Sequence, residues 1–289
     1  MSAPDSASRY DLDAFRAQHR DMRRLHGRSL SQLYGVTDRL LRFLLQCLQL
    51  AEQRADEQLR TSFLFSFINL GSKVVSHVES IRTLVDIGRY GDATALTRVL
   101  VGDVTMITYL SIYPDDCAEW IELSQIREPR PTNRGRYGTL LRKFSEGRLR
   151  GAIAEAGTRP VSAEGYGVYS EAAHPSLWGM QFYADRIVHT ANEYQVTYAA
   201  VYDPLVAIGR VAVMGALILD SIDGFIYWCE ESKVGWHAEL RDRWGPLKSE
   251  AMQALDRVLS AAADVSRELY RSPDTPSSQR GNDPTEQIS

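Results

Sequence analysis

Residues 63–114 decide the fold, and their sequence is FLFSFINLGSKVVSHVESIRTLVDIGRYGDATALTRVLVGDVTMITYLSIYP. In the first part, apolar residues recur every three or four positions, the spacing that lines one face of an α-helix. Gly88 follows this run, and glycine is the preferred residue just beyond the end of a helix. The pattern therefore predicts a helix over 63–87. Its apolar stripe consists of Phe63, Phe67, Leu70, Val74, Val78, Ile81 and Val85.

The second part, residues 93–113, is apolar on almost every side and stops at Pro114. A helix without a polar face belongs in the middle of a bundle. Asp92 is of the residue type that caps helix N-termini, so we expect it to cap this second helix. The link between the two helices is so short that they should be antiparallel neighbours.

Most of the remaining chain continues the helical pattern. A helix is expected from about Ser29 into the region 52–57, and Asp203-Pro204 is a suitable start for a long helix that ends near Trp228. A last helix is expected over 237–270, and Gly245-Pro246 is a place where it could break.

One segment departs from the helical pattern. Residues 193–202, EYQVTYAAVY, alternate in polarity, which is typical of a short strand, so a small β-hairpin near 180–202 is an open alternative there. The predicted organisation is a flexible N-terminus (1–9), a single helical domain (10–272) and a disordered tail (273–289).

The composition is that of a soluble globular protein, with 44% hydrophobic and 24% charged residues. The three cysteines are too far apart for a zinc motif or a disulfide framework, which indicates a reducing compartment. The most apolar run, Val211–Leu219, is too short to cross a bilayer. The sequence also has no glycine-rich nucleotide loop and no nucleophile elbow. We therefore predict an all-α, cytoplasmic protein without membrane attachment, metal site or cofactor.

Three polar side chains are spaced four residues apart in the segment 166–175, YGVYSEAAHP. On a helix, Tyr166, Ser170 and His174 would line one edge, and Pro175 would end the helix directly after the histidine. Histidine changes its charge near neutral pH, which makes His174 a candidate catalytic or ligand-binding residue. The alternative is that this ladder only holds its helix to a neighbour.

Arg98 and Asp103 are the two charged residues of the apolar helix. Five positions apart, they point about 140° away from each other and must contact different neighbouring helices. A buried charge requires a partner, and an imidazole suits a carboxylate, so we expect Asp103 to lie near His174. The alternative is that both are ordinary paired core charges. The candidate catalytic residues are thus His174, Arg98, Asp103, Ser170 and Tyr166.

These motifs resemble those of an uncharacterised family of bacterial helical proteins, a domain of unknown function. Its hallmark is an Ala-Leu-x-Arg helix with an acidic residue five positions later, followed by Tyr-x3-Ser-x3-His-Pro. The resemblance is carried by GRYGDATALTRVLVGDVTMITYLSIYPDD (88–116) and YGVYSEAAHPS (166–176), and it covers roughly residues 65–230. It implies an all-helical fold without implying an activity. Asp103 stands where glutamate is expected, whereas the hallmark positions are filled by Arg98, Tyr166, Ser170 and His174.

A looser similarity is to HEPN-type helical bundles, several of which are RNA-cleaving toxins or defence effectors. Those nucleases carry an Arg-x4–6-His pattern, in which a polar residue commonly follows the arginine. Arg20, Asp21 and His26 fit this spacing, with five residues between the arginine and the histidine. The similarity implies an RNA-directed activity, although an arginine-rich segment can produce such a match by composition alone.

Two segments are strongly basic, although the whole chain has a net charge of −4. Residues 127–150 hold eight Arg or Lys against two Glu, a local charge of +6, and residues 16–28 hold five Arg against one Asp, a local charge of +4. Arginines on open segments suit phosphate contacts, although most charge runs are ordinary solvated surface. The candidate residues for binding RNA or another polyanion are Arg127, Arg130, Arg134, Arg136, Arg16, Arg20 and Arg23.

Three classes of function follow. The basic segments and the HEPN similarity favour an RNA-directed effector or processing protein in stress or phage defence. A small-molecule enzyme would instead use Arg98, Asp103 and His174, and a non-catalytic, dimeric binding or scaffold protein would use its surface alone. Of the three, the sequence favours the RNA-directed protein, and it leaves open whether the protein is an enzyme.

Overall fold

A computed structural model shows a bundle of long helices, so the predicted all-α class is confirmed. The structure describes residues 12–54, 62–126, 130–158, 187–190, 193–196, 203–234 and 237–270. The predicted flexible ends, 1–9 and 273–289, lie outside these ranges. The helices are α1 (Leu12–Ser29), α2 (Ser31–Arg54), α3 (Ser62–Asp86), α4 (Tyr90–Ile112), α5 (Cys117–Gln125), α6 (Arg134–Lys143), α7 (Glu146–Glu155), α8 (Pro204–Glu231) and α9 (His237–Tyr270).

Two short strands form the hairpin that the alternation of polarity suggested. Strand β1 (Ile187–Thr190) pairs in antiparallel fashion with β2 (Glu193–Val196). The register places Ile187 opposite Val196 and Thr190 opposite Glu193. This ladder is a small addition to the bundle and leaves the all-α class unchanged.

The predicted hairpin of residues 63–113 is formed by α3 and α4, and Gly88 ends the first of them. Gly88 has a φ of 74°, a left-handed conformation that glycine adopts without steric cost. Its N–H bonds to the carbonyl of Val85 at 2.9 Å, and the N–H of Arg89 bonds to the carbonyl of Leu84 at 2.8 Å. These two bonds satisfy carbonyls at the end of α3 and reverse the chain.

Asp92 does not cap α4, and that prediction was wrong. The chain is already reversed at Gly88, so α4 can begin at Tyr90, which places Asp92 inside its first turn. The Asp92 carboxylate accepts a hydrogen bond from Arg89 Nε at 2.8 Å instead of capping a backbone N–H. The helix start is therefore set by the turn that precedes it.

Helix α4 lies in the middle of the bundle, as its apolar composition predicts. It packs against α3, α8 and α7. Leu100 and Val104 are fully buried, whereas Val99 is 47% exposed, so one side of α4 faces away from these helices. Two stacked aromatic pairs join α3 to α8, with ring centroids 4.4 Å apart for Phe63–Trp228 and 4.2 Å apart for Phe67–Phe225.

Helix α8 begins as predicted and α9 does not break. The Asp203 side chain accepts hydrogen bonds from the N–H groups of Leu205 and Val206, both at 3.0 Å, and so caps α8. Helix α9 continues through Pro246. Trp244 anchors the turn before this proline, because it stacks on Phe43 of α2 at 5.2 Å. Tertiary packing thus overrides the helix-breaking tendency of proline.

Two of the described helices, α4 and α8, are long and apolar enough to span a membrane by length and composition. About half of the apolar window of each is buried inside the bundle, 50% for α4 and 56% for α8. Core helices of soluble proteins have the same character, so the two helices are weak support for a membrane location.

Gly224 sets the close approach of α8 to α4. A Cβ here would lie 3.2 Å from Ile107 Cγ2 and 3.7 Å from Thr108 Cα. Gly224→Leu should therefore lower the free energy of unfolding by about 1–3 kcal/mol, the usual penalty of overpacking. Gly209→Leu is the matched control on the same helix, because a Cβ there would have open space around it. Equal losses for the two variants in chemical denaturation would contradict this packing.

Candidate functional site

The exposed arginines of residues 130–148 form the first candidate site, which we call the outer arginine surface. Two of them lie on α6, one on the loop before it and one on α7. All four side chains are exposed, and none has an acidic partner among the described residues. The members of this surface are Arg130, Arg134, Arg142 and Arg148.

The other cations of α6 are already paired. Arg136 forms a fork with Glu122 of α5, in which Nε–Oε1 is 3.0 Å and Nη2–Oε2 is 2.8 Å, and Nη2 also lies 3.0 Å from Glu119 Oε1. Lys143 bonds to Asp116 Oδ1 at 2.7 Å and to Glu119. These three carboxylates neutralise the side of α6 that faces α5. Two of them, Glu119 and Glu122, lie on α5, and we call them the α5 acids.

The pKa values of the α5–α6 groups reflect this pairing. Hydrogen bonds from Lys143 and then Arg136 lower the pKa of Glu119, and the hydrogen bond from Arg136 lowers the pKa of Glu122. The hydrogen bond to Glu122 and, after it, the bond to Glu119 raise the pKa of Arg136. Both glutamates are therefore anionic at neutral pH, and Arg136 differs from the outer arginines in having its charge matched.

The geometry of α6 explains this division. At 100° per residue, Arg134 and Arg142 lie about 80° apart around the axis, whereas Arg136 and Lys143 lie only about 20° apart. The mean directions of the two pairs differ by roughly 150°. One pair therefore faces solvent and the other faces α5.

The N-terminal arginines form a separate basic area on α1. Arg16, Arg20 and Arg23 are exposed, and neither Arg20 nor Arg23 has an acidic partner in the described part of the chain. The hydrogen bond of His26 to Asp86 places the C-terminal end of α1 at the turn between α3 and α4. The bond of Lys143 to Asp116 places α6 beyond the opposite end of α4. Arg23 and Arg142 therefore lie near opposite ends of α4.

His26 is fully buried, and both of its ring nitrogens are hydrogen-bonded. Its Nδ1 lies 3.1 Å from the Asp86 carbonyl, which can only accept, so Nδ1 carries the hydrogen. Nε2 then accepts from the Tyr90 hydroxyl at 2.6 Å, and that hydroxyl accepts from the backbone N–H of Asp203 at 3.1 Å. The spacing of Arg20 and His26 therefore does not provide an accessible catalytic pair, because the imidazole joins α1 to the α3–α4 turn and α8.

Arg98 is paired with α7. Its Nη2 lies 2.6 Å from Glu146 Oε2, and Arg150 Nε lies 3.3 Å from Glu146 Oε1. All three side chains are less than one-quarter exposed. Helix α7 is thus attached to the middle of α4 by a half-buried charge cluster, as expected for a charge on an apolar helix.

Asp103 faces α3 instead, and the imidazole next to it is His77. Asp103 Oδ2 and His77 Nδ1 are 3.0 Å apart, but the ring N–H is not aligned on the oxygen, so we describe a close polar contact and not a full hydrogen bond. Burial raises the pKa of Asp103, and the nearby Lys73 and His77 oppose that shift. The contact holds α3 against α4.

The structure therefore separates the predicted catalytic residues Arg98 and Asp103. They contact different helices, as the 140° between them requires, so they do not share one site. Tyr166, Ser170 and His174 lie outside the described residues, as does Arg127. Sequence reasoning missed Glu146 and His77 as partners, and it also missed the exposed Arg142 and Arg148.

A cleft of about 280 Å³ lies between α4 and α8. Its acidic residues are Asp220 and Asp223, and the latter accepts hydrogen bonds from Trp244 Nε1 at 2.8 Å and Lys248 Nζ at 2.7 Å. Carboxylates repel phosphate, so this cleft does not suit an anionic ligand. Within the described ranges, no three His, Cys, Asp or Glu side chains are grouped as metal ligands.

No family model, curated protein or solved structure matches the chain. The resemblance of residues 88–116 and 166–176 to a bacterial helical family therefore stays a prediction.

Proposed function

We propose that this protein is a cytoplasmic RNA-binding protein that contacts the phosphate backbone through the outer arginine surface. One observation carries the proposal: four exposed arginines lack acidic partners among the described residues, while the neighbouring Arg136 and Lys143 are neutralised. In a chain with a net charge of −4, such a patch attracts a polyanion locally.

Two features favour RNA over a small anion as the ligand: the side chains are arginines, and they are far apart. A guanidinium presents several donors in a plane and can bind a phosphate with two of them. Arg134 and Arg142 are separated by about 12 Å along α6, and Arg130 and Arg148 lie on either side of this helix in the sequence. A chain of phosphates can engage Arg134 and Arg142 together, which a single small anion cannot.

The described contacts favour binding over the other functions that the sequence suggested. A HEPN-like cleavage centre at Arg20 and His26 lacks support, because the imidazole is buried and fully hydrogen-bonded. A small-molecule site that joins Arg98 to Asp103 lacks support, because the two residues face different helices. RNA binding without cleavage is therefore the function that we propose.

Replacement of Arg130, Arg134, Arg142 and Arg148 together by glutamine should weaken RNA binding. Each phosphate contact contributes about 0.7–0.9 to the slope of log affinity against log salt, so the slope should become shallower by about 3. The measurement is fluorescence anisotropy of a labelled RNA hairpin and a labelled single strand over a series of salt concentrations. The melting temperature should change little, because exposed charges contribute little to folding.

The matched control changes the same amount of charge elsewhere. Arg42, Lys73, Lys233 and Arg257 are exposed side chains on α2, α3, α9 and the turn after α8, and their replacement by glutamine removes four positive charges. This control should retain the salt slope of the wild type. If it lost as much slope as the test variant, or if the wild type bound neither RNA, the outer arginine surface would not be the binding site.

A further inference from the structure

We propose that the α5 acids act as an internal competitor of RNA, holding Arg136 out of the binding surface until a phosphate displaces them. The inference rests on the proposed RNA binding and adds its regulation. Arg136 would then extend the outer arginine surface around α6 toward α5, and its contribution depends on whether the α5 acids or the RNA backbone occupies its guanidinium.

The contact of Arg136 has the form of a phosphate contact. Two guanidinium nitrogens meet the two carboxylate oxygens of Glu122 at 3.0 Å and 2.8 Å, and a further bond of 3.0 Å goes to Glu119. Two parallel N–H bonds to two oxygens are also how arginine binds a phosphate. Glu122 therefore occupies the donors that RNA would use.

The contact is also easily exchanged. The side chains of Arg136 and Glu122 are 44% and 43% exposed, and exposed ion pairs contribute little to folding. Leu140 is the one fully buried residue of α6. The charged side chains can therefore separate without loss of a large apolar contact.

Lys143 is restrained more firmly than Arg136. It bonds to both Asp116 and Glu119, and Asp116 is also held by the hydroxyl of Tyr109. Removal of Glu119 and Glu122 would leave Lys143 on Asp116 and release Arg136 alone. The two cations of the inner side of α6 can thus be distinguished experimentally.

The test is a cycle of variants in the same RNA-binding assay. Glu119→Gln with Glu122→Gln should tighten binding of the labelled RNA hairpin and steepen the salt slope by about 0.7–0.9, the contribution of one additional phosphate contact. Arg136→Gln should reduce the slope less in the wild-type background than in the double glutamine background, because Glu119 and Glu122 hold its guanidinium only in the wild type. Arg136→Gln in the double glutamine background should abolish the gain.

The matched control is Asp115→Asn with Glu155→Gln. Both residues are exposed, neither has a basic partner among the described residues, and the net charge changes by the same two units. This control should leave the slope unchanged. An equal gain in the control, or a gain that persists without Arg136, would show that loss of any two negative charges reduces the repulsion of RNA. Either result would contradict the internal competitor. If the double variant folds poorly, Glu122→Gln alone should give a smaller gain of the same sign, because Arg136 keeps its bond to Glu119.

The two proposals fail in different ways. If the wild type shows no salt-dependent RNA binding, the proposed function is wrong. A second outcome is that the wild type binds RNA with a salt slope that falls when the outer arginines are replaced. If the effects of replacing the α5 acids and of replacing Arg136 are then additive, only the internal competitor is wrong.

Discussion

Leu100→Asp is expected to abolish the cooperative folding of the bundle. Leu100 is fully buried on α4, which packs against three other helices. Truncation of a buried leucine to alanine already costs about 2–5 kcal/mol. The aspartate adds an unpaired buried charge, and the sum approaches the total stability of an ordinary domain, about 5–15 kcal/mol. Far-ultraviolet circular dichroism and thermal unfolding should show loss of the cooperative transition.

The neighbouring residue supplies the control for this change. Val99 precedes Leu100 on the same helix but is 47% exposed. Val99→Asp introduces the same charge at an exposed position, and it should shift stability by only about 0.5 kcal/mol, as surface substitutions do. A cooperative transition that survives Leu100→Asp unchanged would refute the central position of α4.

The second large effect is expected at His26. His26→Phe keeps a ring of similar size but leaves the Asp86 carbonyl and the Tyr90 hydroxyl without their partner. A buried polar group left unsatisfied costs about 1–3 kcal/mol, so the two together should lower the free energy of unfolding by about 2–5 kcal/mol. Urea denaturation measures this loss.

A double-variant cycle tests the network directly. Tyr90→Phe removes the hydroxyl that links His26 to the backbone of Asp203. Because each single change leaves a partner unsatisfied, the double variant should cost less than the sum, with a coupling of about 0.5–3 kcal/mol. Leu25→Phe is the control for the phenylalanine ring itself. Leu25 precedes His26 and is 40% exposed, so this change should be nearly neutral. Additive losses would contradict the hydrogen-bond chain.

The helices and the central hairpin could be predicted because they depend on local periodicity. The stripe from Phe63 to Val85 predicted α3, and Gly88 predicted its end. The opposite directions of Arg98 and Asp103 followed from 100° per residue and are confirmed by their contacts with α7 and α3. Helix geometry alone settles such features.

The partners of those charges were harder to predict. Asp103 was expected near His174, which lies outside the described residues. Among the described histidines, the one beside Asp103 is His77, eleven positions before Gly88, while Asp103 is fifteen positions after it. In an antiparallel hairpin, residues at similar distances from the turn lie level with each other, so this pair is only about one helical turn out of register. Counting positions from Gly88 would have pointed to His77.

Sequence by itself determined the all-α class, the antiparallel α3–α4 hairpin and the faces of α4, because hydrophobic periodicity and glycine preferences act over a few residues. The tertiary structure alone decided which basic residues stay exposed. Arg134 and Arg136 are two positions apart in one basic segment, but only Arg136 faces the carboxylates of α5. The burial of His26 and the continuity of α9 through Pro246 were decided in the same way. Whether a charge is matched depends on the helix packed beside it, and a local pattern does not contain that neighbour.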